Sequence, residues 1–307
     1  MAVINTGLLS KGLRSEFFNR FEGATTHFQD FSTRISSNSD SETYKWLGSI
    51  PRMREWGTGR VARGVRTESY SVENLKYEAT LEVDRDEIAD DKTGQIRIRI
   101  AELAERAATH KDFLVSQLLI NGEQAGFNSY DGVSFFNANH QSGSSGQQSN
   151  LLTFTATDPD DPTTEDFKGA LKAAIAAMMA FKDDAGDPMS LSAAKLVCVV
   201  PTAIYFSALE AVNATIVGST SNVLAGVAQV VPFPWLTDSS KWYLLKTDGV
   251  VRPLIFQDRE PVEFTALTEE SDEGFRREKF LYGVRARYRM TFGYWQFAIR
   301  TNFTTPV

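Results

Sequence analysis

The sequence predicts a mixed α+β fold, on three observations. Residues Phe280 to Trp295 alternate with period two: Phe280, Tyr282, Val284, Ala286, Tyr288, Met290, Phe292 and Tyr294 fall on one face. Arg285, Arg287 and Arg289 fall on the other, so the segment is a long antiparallel ribbon with one aromatic and one cationic face. From about Thr93 to Asn121, Ile96, Ile100, Leu103, Ala107, Leu114 and Leu118 recur at helical spacing. Between these two, the apolar run Leu196 to Val200 leads directly into a Pro201-initiated helix that runs to about Asn213.

Taken in order, the first forty-odd residues lack strong periodicity. They carry Phe17, Phe18, Phe21, Phe28 and Phe31 and end in the polar run Ser36 to Ser41. Such a segment buries little against itself and is expected to lie as an arm across a neighbour. Pro51 to Thr80 reads as an extended hairpin, with Gly57, Gly59 and Gly64 punctuating its outgoing limb. Its return, Val72 to Val83, alternates in part through Leu75, Tyr77, Ala79, Leu81 and Val83. The long helix follows, roughly 40 Å at 1.5 Å per residue, and Asn121-Gly122 supplies its stop.

Gln141 to Asn150 is rich in Ser, Gly and Gln and reads as a mobile surface loop. Pro162-Thr-Thr-Glu165 opens a second helix, with Phe167, Leu171, Ala174, Ile175 and Met178 on one face and Asp183 to Pro188 as its end. Ala214 to Ala228 reads as an irregular loop. From Val230 on, Trp235, Trp242, the turn Thr247-Asp-Gly249 and the closing ribbon read as antiparallel sheet.

Composition narrows the classes. The 307 residues allow about two domains, and 42% hydrophobic with 23% charged residues is ordinary for a soluble globular protein. A net charge of -7 and a pI near 5.2 argue against a dedicated nucleic-acid binder. The one cysteine, Cys198, excludes an intrachain disulfide and a cysteine-based metal cluster, and its apolar setting predicts a buried, inert thiol. Met1 to Arg20 lacks the apolar centre of a secretory leader, and the longest apolar stretch, Ala173 to Phe181, is too short for a bilayer. A cytosolic chain is the expectation, with no membrane contact.

No set of residues converges on catalysis. His27, His110 and His140 stand apart from one another at no metal-ligand spacing, and none accompanies a Gly-x-Ser-x-Gly elbow. His110, beside Asp112, is expected at the surface. Gly143 to Gly146 is followed by no Gly-Lys-Ser/Thr, so it is no phosphate loop. The acidic clusters Asp158 to Asp161 and Asp183 to Asp187 suit turns and caps, and no cluster matches an EF-hand loop. No enzyme, metal or cofactor is expected. The basic run is more informative: residues 51–67 hold Arg52, Arg54, Arg60, Arg63 and Arg66 against Glu55 alone. Arginine at all five positions favours bidentate pairing with carboxylates, and Asp84, Asp86, Glu87, Asp90 and Asp91 offer them at the base of the same hairpin.

Six blocks carry a family resemblance: Tyr44 to Trp56, Tyr130 to Asn137, Val231 to Leu236, Arg252 to Pro261, Lys279 to Val284 and Phe292 to Asn302. In this order they resemble the major head subunit of Mu-like tailed bacteriophages, over most of the chain. The resemblance implies the Hong Kong 97-type capsid fold. It places an N-terminal arm at 1–45, an extended-loop hairpin at 46–92, a peripheral domain with spine and second helices at 93–190, an axial domain at 191–250, and C-terminal strands returning to the peripheral domain at 251–307. It further implies self-assembly into hexamers and pentamers of an icosahedral head around double-stranded DNA, made in the host bacterial cytoplasm. A separate scaffold, a portal and possible decoration proteins would be partners, and contact with DNA would be non-specific. An acidic chain suits such a wall, since a strongly basic one would trap the packaged DNA.

On this reading the expected contacts between subunits are Phe17, Phe18, Phe21 and Phe28 of the arm, the five arginines of the hairpin, the acids Asp84 to Asp91, and Arg285, Arg287 and Arg289. The arginine row of the ribbon repels itself unless acidic groups lie against it, and another protein surface is the expected source. Rival readings are an encapsulin-like compartment shell, another phage structural subunit of tail or neck, and a hydrolase or binding module, the last opposed by the missing catalytic set.

Overall fold

Two sheets, with a long helix laid across the first, organise the chain. The structure is a computed structural model and describes residues 6–45, 47, 70–90, 94–189, 191–217, 220–269 and 271–306. Arg52, Arg54, Arg60, Arg63, Arg66 and Asp91, with the outgoing hairpin limb, lie outside the described residues.

The chain begins with helix α1 (Thr6–Gly23), then α2 (Phe28–Phe31), β1 (Ser32–Ser36), β2 (Ser41–Tyr44), β3 (Tyr70–Glu73), β4 (Leu75–Asp84), α3 (Arg85–Asp90) and α4 (Gln95–Asn121). After them come β5 (Leu151–Thr155), α5 (Thr164–Met179), β6 (Leu196–Val200), α6 (Tyr205–Asn213) and the short pair β7 (Ile216–Val217) and β8 (Thr220–Ser221). The last third holds β9 (Ala228–Pro232), β10 (Lys241–Lys246), β11 (Leu254–Leu267), α7 (Asp272–Arg277), β12 (Lys279–Phe292) and β13 (Ala298–Thr304).

The first sheet has the order β1-β11-β12-β4. Its centre is the β11–β12 hairpin, and the period-two reading of the ribbon holds: Phe280, Tyr282, Val284, Ala286, Tyr288, Met290, Phe292 and Tyr294 are all buried. Helix α4 lies over this apolar face through Ile96, Ile100, Ala104, Ala108, Val115 and Leu119. The stripe is turned from the expected one, because Leu103, Ala107 and Leu114 are only half-buried. Small Ala104 and Ala108 leave room on the inner face, and α1 packs on the same helix with Leu13 and Phe17 in a shared cluster with Ile100, Phe264 and Tyr282. Gly122 ends the helix for a reason other than a left-handed turn. Its φ is -62°, but a Cβ there would stand 2.8 Å from the Phe136 ring.

The N-terminal segment departs from the expectation of an arm. Phe17, Phe28 and Phe31 are buried in their own chain's core, and β1 extends the first sheet in parallel with β11. The sequence hid this because the apolar residues of α1 are spread around the helix, so no stripe emerges. The expected mobile loop at 141–150 is also packed: Ser142, Ser145 and Asn150 are buried, and His140 and Gln148 exchange backbone hydrogen bonds of 2.9 and 2.8 Å.

The second sheet has the order β5-β13-β10-β6-β9. It is mixed rather than antiparallel, since β6 pairs with β9, and β13 with β5, in parallel. Parallel neighbours need a crossover, and α6 supplies it between β6 and β9. Pro201 opens a turn rather than the helix, which starts at Tyr205. Residues 214–228 are not wholly irregular: β7 and β8 form a small ladder, tied back to α6 by Asn222 Nδ2 donating to Ala211 O at 2.7 Å.

The elements group across the expected boundaries. Helix α5 and β5, from 93–190, join the second sheet, and β13, from 251–307, runs through that sheet's interior rather than returning to the first. Alternate faces of Ala298, Ile299, Arg300 and Thr301 are all buried, as a strand flanked on both edges requires.

Helix α5 starts as its sequence indicates, with Thr163 and Asp166 in a reciprocal capping box. Its Gly169 faces the Phe154 ring of β5, where an added Cβ would come within 2.4 Å. Gly169→Ala is therefore expected to destabilise the chain by about 1–3 kcal/mol, despite alanine's better helix propensity. Urea denaturation measures it, and a neutral or stabilising result would show that Phe154 yields freely.

Candidate assembly surfaces

The arginine face of β12 is built first by strand register. Arg287 stands opposite Glu260, and Arg285 opposite Glu263, with irregularities on both sides of Glu260 in β11. These shifts bring one carboxylate between two arginines: Glu260 Oε1 is 3.0 Å from Arg287 Nη1, and Glu260 Oε2 is 2.6 Å from Arg285 Nη1. Asp40 adds a contact to Arg287 Nη2 at 3.2 Å, and Glu263 stands 3.9 Å from Arg285. The acids expected from another protein surface are thus supplied by the same chain, because β11 pairs with β12 and carries its own acidic row. Arg289 stands opposite Gln257 and borders a shallow cleft with Tyr70, Glu73 and Thr291.

Loss of water pulls the Glu260 carboxyl up, but hydrogen bonds from Arg287 and Arg285 outweigh it and hold the group below the usual glutamate range. A carboxyl depressed in the folded state adds stability that is present above its unfolded range and disappears as pH falls through the folded value. Glu260→Gln should therefore lower the melting temperature at neutral pH, and the gap to wild type should close below the ordinary glutamate range. A gap that persists undiminished in acid would contradict the electrostatic account.

The expected arm contacts fall inside the subunit. Phe17 packs on Phe264 with centroids 5.0 Å apart, and Phe28 meets Phe256 at 5.2 Å. Phe18 and Phe21 are half-buried on the same cluster. Asp112 is buried on α4 and accepts from the backbone of His27 at 3.0 Å and of Phe28 at 2.7 Å. It thereby satisfies donors at the start of α2. Burial pushes its carboxyl up, while those backbone bonds act against the shift. His110, expected at the surface, is half-buried with Nδ1 2.8 Å from the Tyr288 hydroxyl, and burial and then Lys111 push it down. Lys111 Nζ lies 4.9–5.7 Å from the rings of Phe21, Phe28, Phe256 and Tyr288. It lines a cleft of about 540 Å³ with Arg34, Arg252 and Asp258.

Of the acidic run, Asp84 Oδ1 accepts from Asp86 N at 3.1 Å where α3 begins, and Glu87 stands 4.0 Å from Arg99. Asp86 and Asp90 are exposed. His140 is fully buried, with Nδ1 2.6 Å from Asp131 Oδ2 and its ring stacked on Trp295 at 4.1 Å. Cys198 is buried and its thiol is pushed up by burial alone. Large apolar side chains stand in water at Phe206, Ile216 and Val223 around α6 and the β7–β8 pair, and at Phe275 on α7. Sequence reasoning missed Glu260, Asp40 and Phe275, and only the first had a signal, in the acids spaced along residues 258–263. Among the described residues no group of histidine, cysteine and acidic side chains could hold a metal ion. No described helix is long and apolar enough to cross a membrane.

A long helix over a twisted hairpin sheet, joined to a second mixed sheet, is the architecture of a shell subunit of the Hong Kong 97 type. The procapsid subunit of bacteriophage JBD30 superposes with a TM-score of 0.60 at 23% identity, covering 100% of this chain and 77% of that one. The chain belongs to the family described as the Mu-like prophage major head subunit gpT, whose profile matches residues 7–161, 164–236 and 237–304. It is 26% identical over 288 residues to the major capsid protein of Escherichia phage Mu, covering 93% of this chain and 70% of that protein. It is 24% identical to the Mu-like prophage FluMu major head subunit of Haemophilus influenzae, covering 94% and 70%. The protein is accordingly a structural subunit of a phage head, in a family that builds rather than catalyses.

Proposed function

We propose that this chain self-assembles through hexamers and pentamers into the wall of an icosahedral head that encloses double-stranded DNA. The observation that carries the proposal is a family match running from residue 7 to residue 304, with only Pro162 and Thr163 left out. Many modest contacts repeated over a closed lattice give a strong shell, because several neighbours offset the ordering cost of each subunit. A net charge of -7 suits a wall that must not hold its DNA by counterion release. Assembly takes place in the cytoplasm of the host bacterium, with a separate scaffold, a portal and any decoration proteins as partners.

Within that lattice the arginines Arg52, Arg54, Arg60, Arg63 and Arg66 of one subunit pair with the acids Asp84, Asp86, Glu87, Asp90 and Asp91 of the next. Light scattering and sedimentation of the purified chain test the proposal, and capsomers or shells are the expected species. A stable 34.2 kDa monomer at all concentrations, with the scaffold present as well as absent, would overturn it. The hairpin contact has its own test: Arg60→Glu with Arg63→Glu should block assembly and leave circular dichroism unchanged, and raised salt should weaken wild-type particles in the same direction. Normal assembly of the double variant would remove this contact without touching the larger proposal.

A further inference from the structure

The turn between β11 and β12 is built to hold one aromatic ring in water. Ser271 Oγ donates to Thr268 O at 2.6 Å and accepts from Gly274 N at 3.0 Å, which caps α7. Gly274 rests on the preceding backbone so closely that a Cβ would stand 2.5 Å from Thr268 O. Glu278 closes the helix in the left-handed region, with φ 53°. Asp272–Arg276 at 2.9 Å and Glu273–Arg277 at 3.5 Å pair along the helix, and Arg85–Glu269 at 3.5 Å ties the turn to α3. In this fixed frame Phe275 is 86% exposed. A rigid, protruding phenylalanine is the form that anchor residues take at protein interfaces.

The same chain carries a hole that fits it. Between α4 and the first sheet lies a pocket of about 250 Å³, lined by Tyr77, Leu103, Ala107, Val262, Val284 and Ala286. An apolar cavity of roughly 150 Å³ already admits benzene, so a benzyl group has room. Glu78 and Arg106 border the pocket, and the α7 tip carries both charge signs beside Phe275, so each can face its opposite. The tip cannot fill its own pocket. Val284 and Ala286 lie well along β12 from the turn, roughly 20–30 Å at strand spacing.

We propose that Phe275 of one copy seats in the pocket between α4 and the sheet of a neighbouring copy. Knob and hole occupy different places on one chain, so the contact is head-to-tail and closes into a ring when the rotation permits. This contact rests on the self-assembly proposed above, and wild-type assembly is therefore measured first. Phe275→Ala and Ala107→Phe, the second filling the hole, should each raise the concentration needed for assembly by about 30-fold or more. Phe275→Leu should assemble nearly normally, and circular dichroism should match wild type throughout.

A crosslink locates the ring directly. Phe275→Cys chains mixed with Ala107→Cys chains should form a disulfide-linked dimer under mild oxidation, and neither variant alone should, because Cys198 is buried. Assembly of Phe275→Ala at the wild-type concentration would overturn the contact. So would a failing Phe275→Ala beside a normally assembling Ala107→Phe and no crosslink, which would place the ring elsewhere. A wild-type chain that never assembles would sink the self-assembly reading first, and this contact with it.

Discussion

Removal of residues 1–41 is expected to unfold the chain, not merely to stop it assembling. The deletion strips Leu13, Phe17, Phe28 and Phe31 from the two largest core clusters and takes β1 from the edge of the first sheet. Truncating one buried phenylalanine costs about 3–5 kcal/mol, so losing three is comparable to the whole of the roughly 5–15 kcal/mol that holds a typical domain together. Asp112 would also lose the backbone donors of His27 and Phe28 and remain as a buried, unpaired carboxylate. Near-ultraviolet circular dichroism and thermal melting measure the outcome. A truncated chain that melts cooperatively near the wild-type temperature would mean that the N-terminal segment contributes little to its own subunit, as the sequence alone had suggested.

Replacing Asp131 with alanine removes the carboxyl partner of a fully buried ring nitrogen and is expected to destabilise the chain. Asn150 accepts from Asn137 N through Oδ1 at 2.9 Å and donates through Nδ2 to Phe135 O at 2.7 Å, which fixes its amide. His140 Nε2 then faces two acceptors, Phe135 O and Asn150 Oδ1, both at 3.1 Å, while Nδ1 faces the Asp131 carboxylate. Nε2 therefore donates, and a single proton links Nδ1 to Asp131 Oδ2 across 2.6 Å. The pair is buried, with the flat face of Trp295 parallel to the ring within 6°. Removing Asp131 leaves Nδ1 buried without its partner, and an unsatisfied buried polar group costs about 1–3 kcal/mol. Asp131→Ala should lose that much in urea denaturation. A loss within about 0.5 kcal/mol, the range of ordinary surface changes, would contradict the assignment.

The sequence disclosed most where one periodicity governed one face. The β12 ribbon, the α5 capping box and the β6 strand could be read directly, since each is set by neighbours within a few residues. It disclosed least where burial depends on partners far along the chain. Helix α1 has no apolar stripe of its own and is held by α4 and β11. The 141–150 segment looks like a linker by composition, yet Ser142, Ser145 and Asn150 are buried. The arginine row was read correctly as needing acids, but their source was strand register, which places Glu260 between Arg285 and Arg287 and cannot be deduced before β11 and β12 are paired. Phe275 left no signal, because a lone phenylalanine beside charged residues reads as an ordinary helix position until the turn that exposes it is seen. The family resemblance was legible because its blocks are distributed over both sheets, from Tyr44 in β2 to Asn302 in β13.

The central claim is that this chain closes into an icosahedral head, and the symmetry of its particles in electron micrographs tests it most directly. Three-dimensional reconstruction of particles assembled from the chain, with its scaffold where one is required, should give closed shells with five-fold vertices and six-fold faces. Each subunit density should carry α4 across the β11–β12 hairpin. Open tubes, isolated rings or amorphous clusters, with no five-fold vertex under any assembly condition, would contradict the account.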